Sequence, residues 1–564
     1  MIFENYQSTN TKVLSTALAI SCVPSIYIFD CVLPLTMAFI SSGGIILLIA
    51  AIFAISRIRS FINNRRFRTF ARAHGAEEAP RAPPGKLPWG IDGVYRVLTA
   101  EKRGKDIFDD ILMPRFKAIG HNTYIAPGLL GEEILNTIDA RNVQAILATN
   151  FKDWVTGPRR REQFGAVLGN GIFNSDGSEW AHYRGLLRPL FARENINDLE
   201  GTEKAYQDLK TVILLGADDW TKPVDLVPLF YRFALDAATK FLFGQSVNSQ
   251  LAAAGLEQAD GAGDATSQAA KADFAEAFTV SLQFMGVRTR MQGLYWLVNS
   301  PKYRGAVTKI RTFANHYVKL SLSSHRPSKP ASKPSQSNLL EALSHSTQNP
   351  IELRDHILSL LVAGRDSTAS LLSWAFLLLA HHPHVFAKLR DTVLSDFGSR
   401  SQILDFGTLK SCRYLQHVLH ETLRLYPVAP INNRVAVRDT VLPVGGGVGG
   451  DKPLAVRKGQ LCNFLTYGLH RRIDIWGDDA AEFRPERWEG RKMDWSYIPF
   501  SGGPRVCLGQ QYALTEAGYV VVRLLQEFEA VEWCGMEGPT KKKFGVTMSP
   551  RDGVVVRLRR AKGN

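Results

Sequence analysis

The sequence predicts a mainly α-helical protein with small β-sheets, set behind an N-terminal transmembrane helix. Three observations predict it. Long windows with helical apolar spacing recur at Val227–Phe243, Ala270–Met285, Ile351–Ala380, Leu415–Tyr426 and Gln511–Phe528. Extended stretches are short and scattered, as at Asn122–Pro127 and Trp495–Phe500. Residues Cys31–Ser56 carry no charge, and that run exceeds the roughly 20 residues a spanning helix needs.

The chain has 564 residues, enough for a membrane segment plus one large catalytic domain or two ordinary ones. Apolar content of 45 % and charged content of 21 % are globular rather than disordered values. The six cysteines, Cys22, Cys31, Cys412, Cys462, Cys507 and Cys534, are scattered and contain no C-x-x-C pair. They suggest neither a disulfide framework nor zinc, and they fit a reducing compartment. No N-x-S/T sequon occurs, in agreement with a cytosolic face. The net charge of +15 could serve nucleic acid, anionic lipid or an acidic protein. Part of it is local: Arg57, Arg59, Arg65, Arg66, Arg68 and Arg72 come directly after the apolar run, the positive-inside pattern beside a membrane. No zinc-finger, RRM or homeodomain pattern is present, so nucleic acid is not an expected partner.

Taken in order, residues 1–30 form an N-terminal lead. They include a second uncharged run, Val13–Phe29, broken by Pro24. That run is a second span, an interfacial segment or a luminal lead. Residues 31–56 are a permanent anchor, too long and wrongly flanked for a cleaved signal. Residues 57–88 are a basic and Pro-rich linker, in which Ala79–Pro88 is an extended spacer. Residues 89–564 form the globular domain. Within it, Asn122–Pro127 reads as a strand and Gly131–Thr149 as a helix. Leu168–Trp180 is a loop opening a helix that carries Trp180 and Arg184 on one face. Ala252–Ser267 and Ser323–Ser337 are polar, low-complexity loops.

Ile351–Ala380 is a long apolar helix interrupted by Ala363-Gly364-Arg365-Asp366-Ser367-Thr368. Gly364 weakens the helix there, and a Ser or Thr hydroxyl can divert a backbone bond. An acid beside hydroxyls in a buried helix suits proton delivery, so Asp366, Ser367 and Thr368 are candidate relays. Glu421 and Arg424 lie at i and i+3 on the helix Leu415–Tyr426, ended by Pro427. Pro443–Gly450 contains a G-x-G-x-x-G match, but a strand with Pro453 comes next, so it predicts a hairpin loop and no dinucleotide site. His470 reads as structural or surface.

The stretch Phe500–Gly509, FSGGPRVCLG, has the spacing F-x-x-G-x-R-x-C-x-G. It sits between a strand-like run and a buried helix, so Cys507 lies in a tight loop at a helix N-terminus. Backbone N–H groups there stabilise a thiolate. An axial sulfur of that kind donates electron density to a haem iron. Gly503 and Gly509 let the backbone pass close to a flat macrocycle, and Arg505 is placed to reach a haem carboxylate.

This decapeptide resembles the haem-binding loop of the cytochrome P-450 family, and the motifs W-x-x-x-R, A-G-x-D-S-T, E-x-x-R and P-E-R-W precede it in family order. The resemblance covers nearly all of the chain after residue 89. It implies the cytochrome P-450 fold and haem b with its axial thiolate from Cys507. Trp180, Arg184, Arg434 and Arg505 would hold the haem propionates, with His182 assisting, and Phe500, Gly503 and Gly509 would complete the cofactor-binding loop. Glu421, Arg424 and Arg487 would form a buried structural cluster. Ser367 stands where the family pattern usually has Thr, which puts tight coupling of oxygen reduction to product in doubt. AGRDST, PVGGG, RKGQ, LHRR and FRPERW look most like the fungal branch that hydroxylates n-alkanes and fatty acids. Relatives of that branch also serve secondary-metabolite pathways.

The resemblance thus implies a monooxygenase on the endoplasmic reticulum membrane, single-pass, or two-pass if Val13–Phe29 also spans, with a cytosolic catalytic domain. It would take a small hydrophobic substrate. The short stretch after Cys507 leaves electrons to a separate NADPH-cytochrome P-450 reductase, with cytochrome b5 as an optional second donor. Two rivals are a haem-thiolate isomerase or dehydratase and a haem-binding protein without turnover. Dependence on NADPH separates them.

Overall fold

The computed structural model describes residues 42–191, 199–213, 218–256, 265–324, 338–398 and 404–561. The expectations for the lead, for Val13–Phe29 and for residues 31–41 therefore lie outside the described residues, as do residues 257–264 and 325–337 of the expected loops; the ends of Ala252–Ser267 are helical instead, in Ser249–Ala254 and Ala265–Arg290. Contacts divide the chain into Met1–Phe70 and Ala71–Asn564.

Helix α1 runs unbroken over Ser42–Ala73. Among the described residues it is the one helix long and apolar enough to cross a membrane, and its apolar window is wholly exposed. The expected end of the apolar segment at Ser56 is not a helix end. No Gly or Pro comes after it to stop the helix, so Arg57 through Arg72 continue on it. The Pro-rich stretch after it is docked at its start: Ala82 N–H donates to Ile125 O at 2.8 Å, and Ile125 N–H to Pro80 O at 2.9 Å.

The larger unit is built mainly of helices. Those that position the site are α2 Pro158–Leu168, α3 Gly177–Leu187, α4 Leu226–Phe243, α5 Ala265–Arg290, α6 Pro301–Ser324, α7 Pro350–His381, α8 Arg413–Leu425 and α9 Gln510–Glu527. The central one is α7. Asn349 caps it by accepting from the N–H groups of Ile351 and Glu352, with Pro350 at the first turn. Leu358, Leu361, Leu372 and Trp374 on it are fully buried. Pro383 opens the next helix, Pro383–Phe397, as its position after His381 and His382 predicts.

A five-stranded sheet flanks the helices. In chain order its strands are β1 Thr123–Pro127, β2 Glu133–Thr137, β3 Trp154–Val155, β4 Asn432–Ala436 and β5 Leu461–Phe464. Spatially they run β1-β2-β5-β4-β3. Only β2 and β5 pair in parallel, with Ile134 opposite Leu461. Here the expected helix Gly131–Thr149 is corrected. Its first half is β2, because Ile134 and Leu135 are buried in the sheet, and helix starts only at Ala140 behind the Asp139 cap. Thr440–Gly446 and Lys452–Val456 form the hairpin expected for PVGGGVGG.

Trp495–Phe500 is likewise not a strand. Asp494 makes an Asx turn by accepting from Ser496 N–H at 2.8 Å, and Ser501 takes a left-handed φ of 64°. The chain reaches the cysteine loop through consecutive turns.

Candidate haem site

The cysteine loop is fixed from both sides. Cys507 N–H donates to Phe500 O at 3.0 Å, closing the decapeptide on itself. Phe500 packs its ring on the main core. Gly503 has φ +65°, and a Cβ there would come within 1.9 Å of Leu147 O. At Gly509 a Cβ would meet only the Phe191 ring, at 3.3 Å. Gly503 is thus required by the neighbouring backbone, whereas Gly509 is held by a side chain.

The Cys507 thiol lies deep in the protein but is accessible from a cavity of about 1020 Å³. Trp180, Arg184, Phe191, Val506, Leu508 and Tyr512 help to wall it. Burial pushes the thiol upward, while the Gly509 backbone and Arg184 pull it down less strongly. The Gly509 backbone and Arg184 thus favour the thiolate, against burial. A cation coordinated by the sulfur would add stabilisation of the thiolate.

On α3, Trp180 and Arg184 stand together as predicted, with the guanidinium 5.8 Å from the indole centre. Arg184 donates to Val506 O at 3.0 Å. Arg505 packs over the same indole at 4.4 Å and donates to Ser175 O at 2.9 Å and to Asp176 Oδ1 at 2.7 Å. Its buried Nε has no hydrogen-bond partner. Arg434 on β4 is 4 % exposed and donates to Asn433 O at 2.7 Å. His182 does not join them: its Nε2 lies 2.9 Å from Glu352 Oε1, because two residues' step around α3 turns it to the opposite face, toward the N-terminal end of α7.

Sequence reasoning missed Arg160 of α2, which donates to Asn432 Oδ1 at 2.6 Å. In the run Arg159–Arg161 nothing distinguishes a site residue from surface charge. Burial, and after it the charge of Arg505, depresses Arg160 to about 10. Burial, and after it Arg160 and Arg505, carries Arg434 well below the usual guanidinium range. Asp176 is the single carboxylate that offsets these three cations in either case. The local excess of two positive charges and the orphaned Arg505 Nε fit a ligand bearing two carboxylates, as haem does.

Beneath this, Glu421 and Arg424 are fully buried on α8. Arg424 donates to both Glu421 oxygens at 2.9 and 2.8 Å, and to the carbonyls of His470, Ala480 and Glu482. Arg487 reaches Glu421 Oε1 at 3.2 Å and Asp479 Oδ1 at 2.8 Å. Trp488 Nε1–H and Arg484 N–H complete the carboxylate's acceptor capacity. His470 is structural. Its Nε2 accepts from Ile498 N–H at 2.9 Å, so its Nδ1 carries the proton toward Arg424 O at 3.2 Å.

Comparison with known proteins agrees. The Cytochrome P450 family profile matches residues 99–556. The chain is a cytochrome P450. It is 42 % identical over 498 residues to Cytochrome P450 monooxygenase g430 of Fusarium sp, covering 87 % of this chain and 86 % of that one. It is 41 % identical to Cytochrome P450 52A5 of Candida maltosa, over 82 % of this chain and 88 % of the relative. Among solved structures, the cytochrome P450DA heme domain superposes with a TM-score of 0.68 at 20 % identity, covering 86 % of this chain and 98 % of that one. This P450 is therefore a haem-dependent monooxygenase with Cys507 as the thiolate ligand. Bound haem supplies the activation of dioxygen, and the chain's own residues orient it, exclude water and move protons.

The three relay candidates of the P450 share a turn of α7 but face three partners. Ser367 Oγ–H donates to Ala363 O within the helix. Asp366 is held by Arg365 at 3.0 Å. Burial pushes its carboxyl up and Arg365 opposes this. Arg365 also donates to Thr279 Oγ1 at 2.8 Å and packs over Tyr231 and Phe278. Thr368 donates to Glu516 Oε2 on α9 at 2.7 Å. Glu516 is a second residue missed by sequence reasoning. Burial pushes it up to about 7. A lone acid among Ala517, Gly518, Tyr519 and Val520 was its signal.

Proposed function

We propose that this P450 hydroxylates a long-chain fatty acid or alkane at or near its chain end. The reaction is RH + O2 + NADPH + H+ giving ROH + H2O + NADP+, with electrons passed by a separate NADPH-cytochrome P-450 reductase and cytochrome b5 as an optional donor. The structural observation that supports the lipid reading is the packing around Asp366, which leaves no unpaired charge there. Arg365 is already paired with Asp366 and Thr279, and its other neighbours are the rings of Tyr231 and Phe278. Such surroundings favour an apolar chain end over a carboxylate. Similarity to the 52A relatives supports the same reading.

In this reading Arg160, Arg184, Arg434 and Arg505 hold the haem propionates, and Trp180 packs between two of them. Glu421, Arg424 and Arg487 hold the floor beneath. Asp366, Ser367 and Thr368 manage protons. Residues 31–56 anchor the protein in the endoplasmic reticulum membrane, residues 57–88 link, and residues 89–564 are the cytosolic catalytic domain.

The test is turnover in membranes carrying this protein and a fungal reductase, with NADPH and a panel of fatty acids and alkanes. Terminal or near-terminal alcohols that vanish in Cys507→Ala support the reading. A thiolate-type reduced-CO spectrum without any lipid product overturns it and favours a tailoring step on a secondary metabolite.

A further inference from the structure

Five residues of α7 lie on one stripe. Glu352, His356, Ser359, Ala363 and Ser367 are spaced by four, three, four and four residues, which keeps them on one helix face. At about 1.5 Å per residue the stripe is about 22 Å long. It leads from the outer end of α7 to the hydroxyl of Ser367.

The outer end is wet. His182 is 58 % exposed, and its Nε2 lies 2.9 Å from Glu352 Oε1. The next two residues are dry and unsatisfied. His356 has no exposed surface, and neither ring nitrogen has a hydrogen-bond partner. Its Nε2 approaches Glu352 Oε1 only to 3.7 Å, and its ring meets Tyr183 edge-on at 4.7 Å. Ser359 is also fully buried, and its Oγ has no partner. Gly171 covers it with bare backbone, since a Cβ there would come within 2.4 Å of Ser359 Oγ.

A histidine kept only for packing would resemble His470 or His420, whose ring nitrogens are bonded to Arg424 O, Ile498 N–H and Tyr497. His356 is bonded to nothing, directly between a wet carboxylate and an orphaned hydroxyl. Buried groups of this kind are normally satisfied by ordered water, which also carries protons.

We propose that this stripe conducts protons from solvent to Ser367, with His356 as the buried carrier. A proton from Glu352 binds His356 Nε2, and the imidazolium releases its Nδ1 proton to water held by Ser359 Oγ. Further ordered water, along the roughly 12 Å of stripe past Ala363, carries the proton on to Ser367 Oγ, which gives its own in turn. Each passage breaks and forms only N–H and O–H bonds, and one proton enters for each one delivered. The ring returns to its first tautomer before the second of the two protons consumed per dioxygen. The path rests on the monooxygenase class of this protein, not on its lipid substrate.

The test uses His356→Phe and Ser359→Ala in membranes with reductase and NADPH, with dodecanoate as probe. Haem loading is checked by the reduced-CO spectrum. NADPH, oxygen and peroxide are measured together, in H2O and in D2O. Expected is at least a threefold rise in peroxide released per NADPH in each variant, with a larger solvent isotope effect on the flux to product and water. Wild-type peroxide fraction and isotope effect in a correctly loaded variant overturn the proposal. If His356→Phe fails to load haem, Ser359→Ala and Glu352→Gln decide by the same two readouts. If dodecanoate gives no product in the wild type, the lipid assignment fails while peroxide against water still decides the path.

Discussion

The hydroxyl of Thr368 donates to Glu516 at 2.7 Å, joining the helix that carries the proton relay to the helix just past the cysteine loop. Glu516 also receives Tyr512 O–H at 3.2 Å. Beside its proposed part in proton handling, Thr368 thus ties α7 to α9, while Ser367 bonds its own helix backbone. Ser367→Ala is expected to raise peroxide release per NADPH severalfold. Thr368→Val is expected to lower stability by about 1–3 kcal/mol, because it leaves a buried carboxyl short of a donor. Oxygen stoichiometry and thermal melting of the two variants separate the roles.

Arg160, Arg434 and Arg505 repel one another with one carboxylate among them. In Arg160→Met, haem per protein is expected to fall at least twofold, while the melting temperature of the haem-free protein stays or rises. Soret absorbance per protein and melting with and without haem check this. A fall in both would make Arg160 a structural residue.

Within the cysteine loop the two glycines differ. Gly503→Ala forces a Cβ to 1.9 Å from Leu147 O at a left-handed φ, so the variant is expected to lose its haem-thiolate spectrum. Gly509→Ala meets a ring edge at 3.3 Å, which a small shift of Phe191 relieves, so most of the spectrum is expected to remain. Reduced-CO spectra of both variants test the contrast.

Glu421 binds two guanidiniums, an indole N–H and a backbone N–H in a fully buried site. Glu421→Ala strands two buried cations and is expected to cost about 3–5 kcal/mol. Little soluble, haem-loaded protein should be recovered on expression.

Burial holds His420 and His470 neutral, depressed to about 4 and about 3. The unfolded chain binds a proton at each below about 6.5, so protons favour unfolding from there downward. Stability should fall on acidification from pH 6.5 toward 4, by up to about 1.4 kcal/mol per pH unit for each histidine. Melting temperatures between pH 7.5 and 5 in wild type and His420→Gln check this, the variant having the shallower slope.

The features legible in the sequence had a period or a fixed spacing. Helices α4, α7 and α9 begin and end within a residue or so of the apolar pattern; side-chain caps mark the starts of α4 and α7, and in α9 the apolar period alone does so. Strand β2 was not legible, since Ile134 and Leu135 suit a helix or a buried strand and only pairing with Leu461 decides. Cys507, Trp180 and Glu421 stood in motifs. Arg160, Asp176, Glu516 and His356 did not, because each acquires its role from a neighbour more than a hundred residues away or from a buried position that no local pattern marks.

Arg365 and Asp366 are sequence neighbours on one rigid helix, so the acid carries its countercharge with it. Tyr231 of α4 and Phe278 of α5 pack on Arg365 from outside that pair, so a change at either ring leaves the pair itself intact. Evolution can thus exchange the rings above Arg365 while the acid keeps a countercharge inherited along with it, one residue away in the chain.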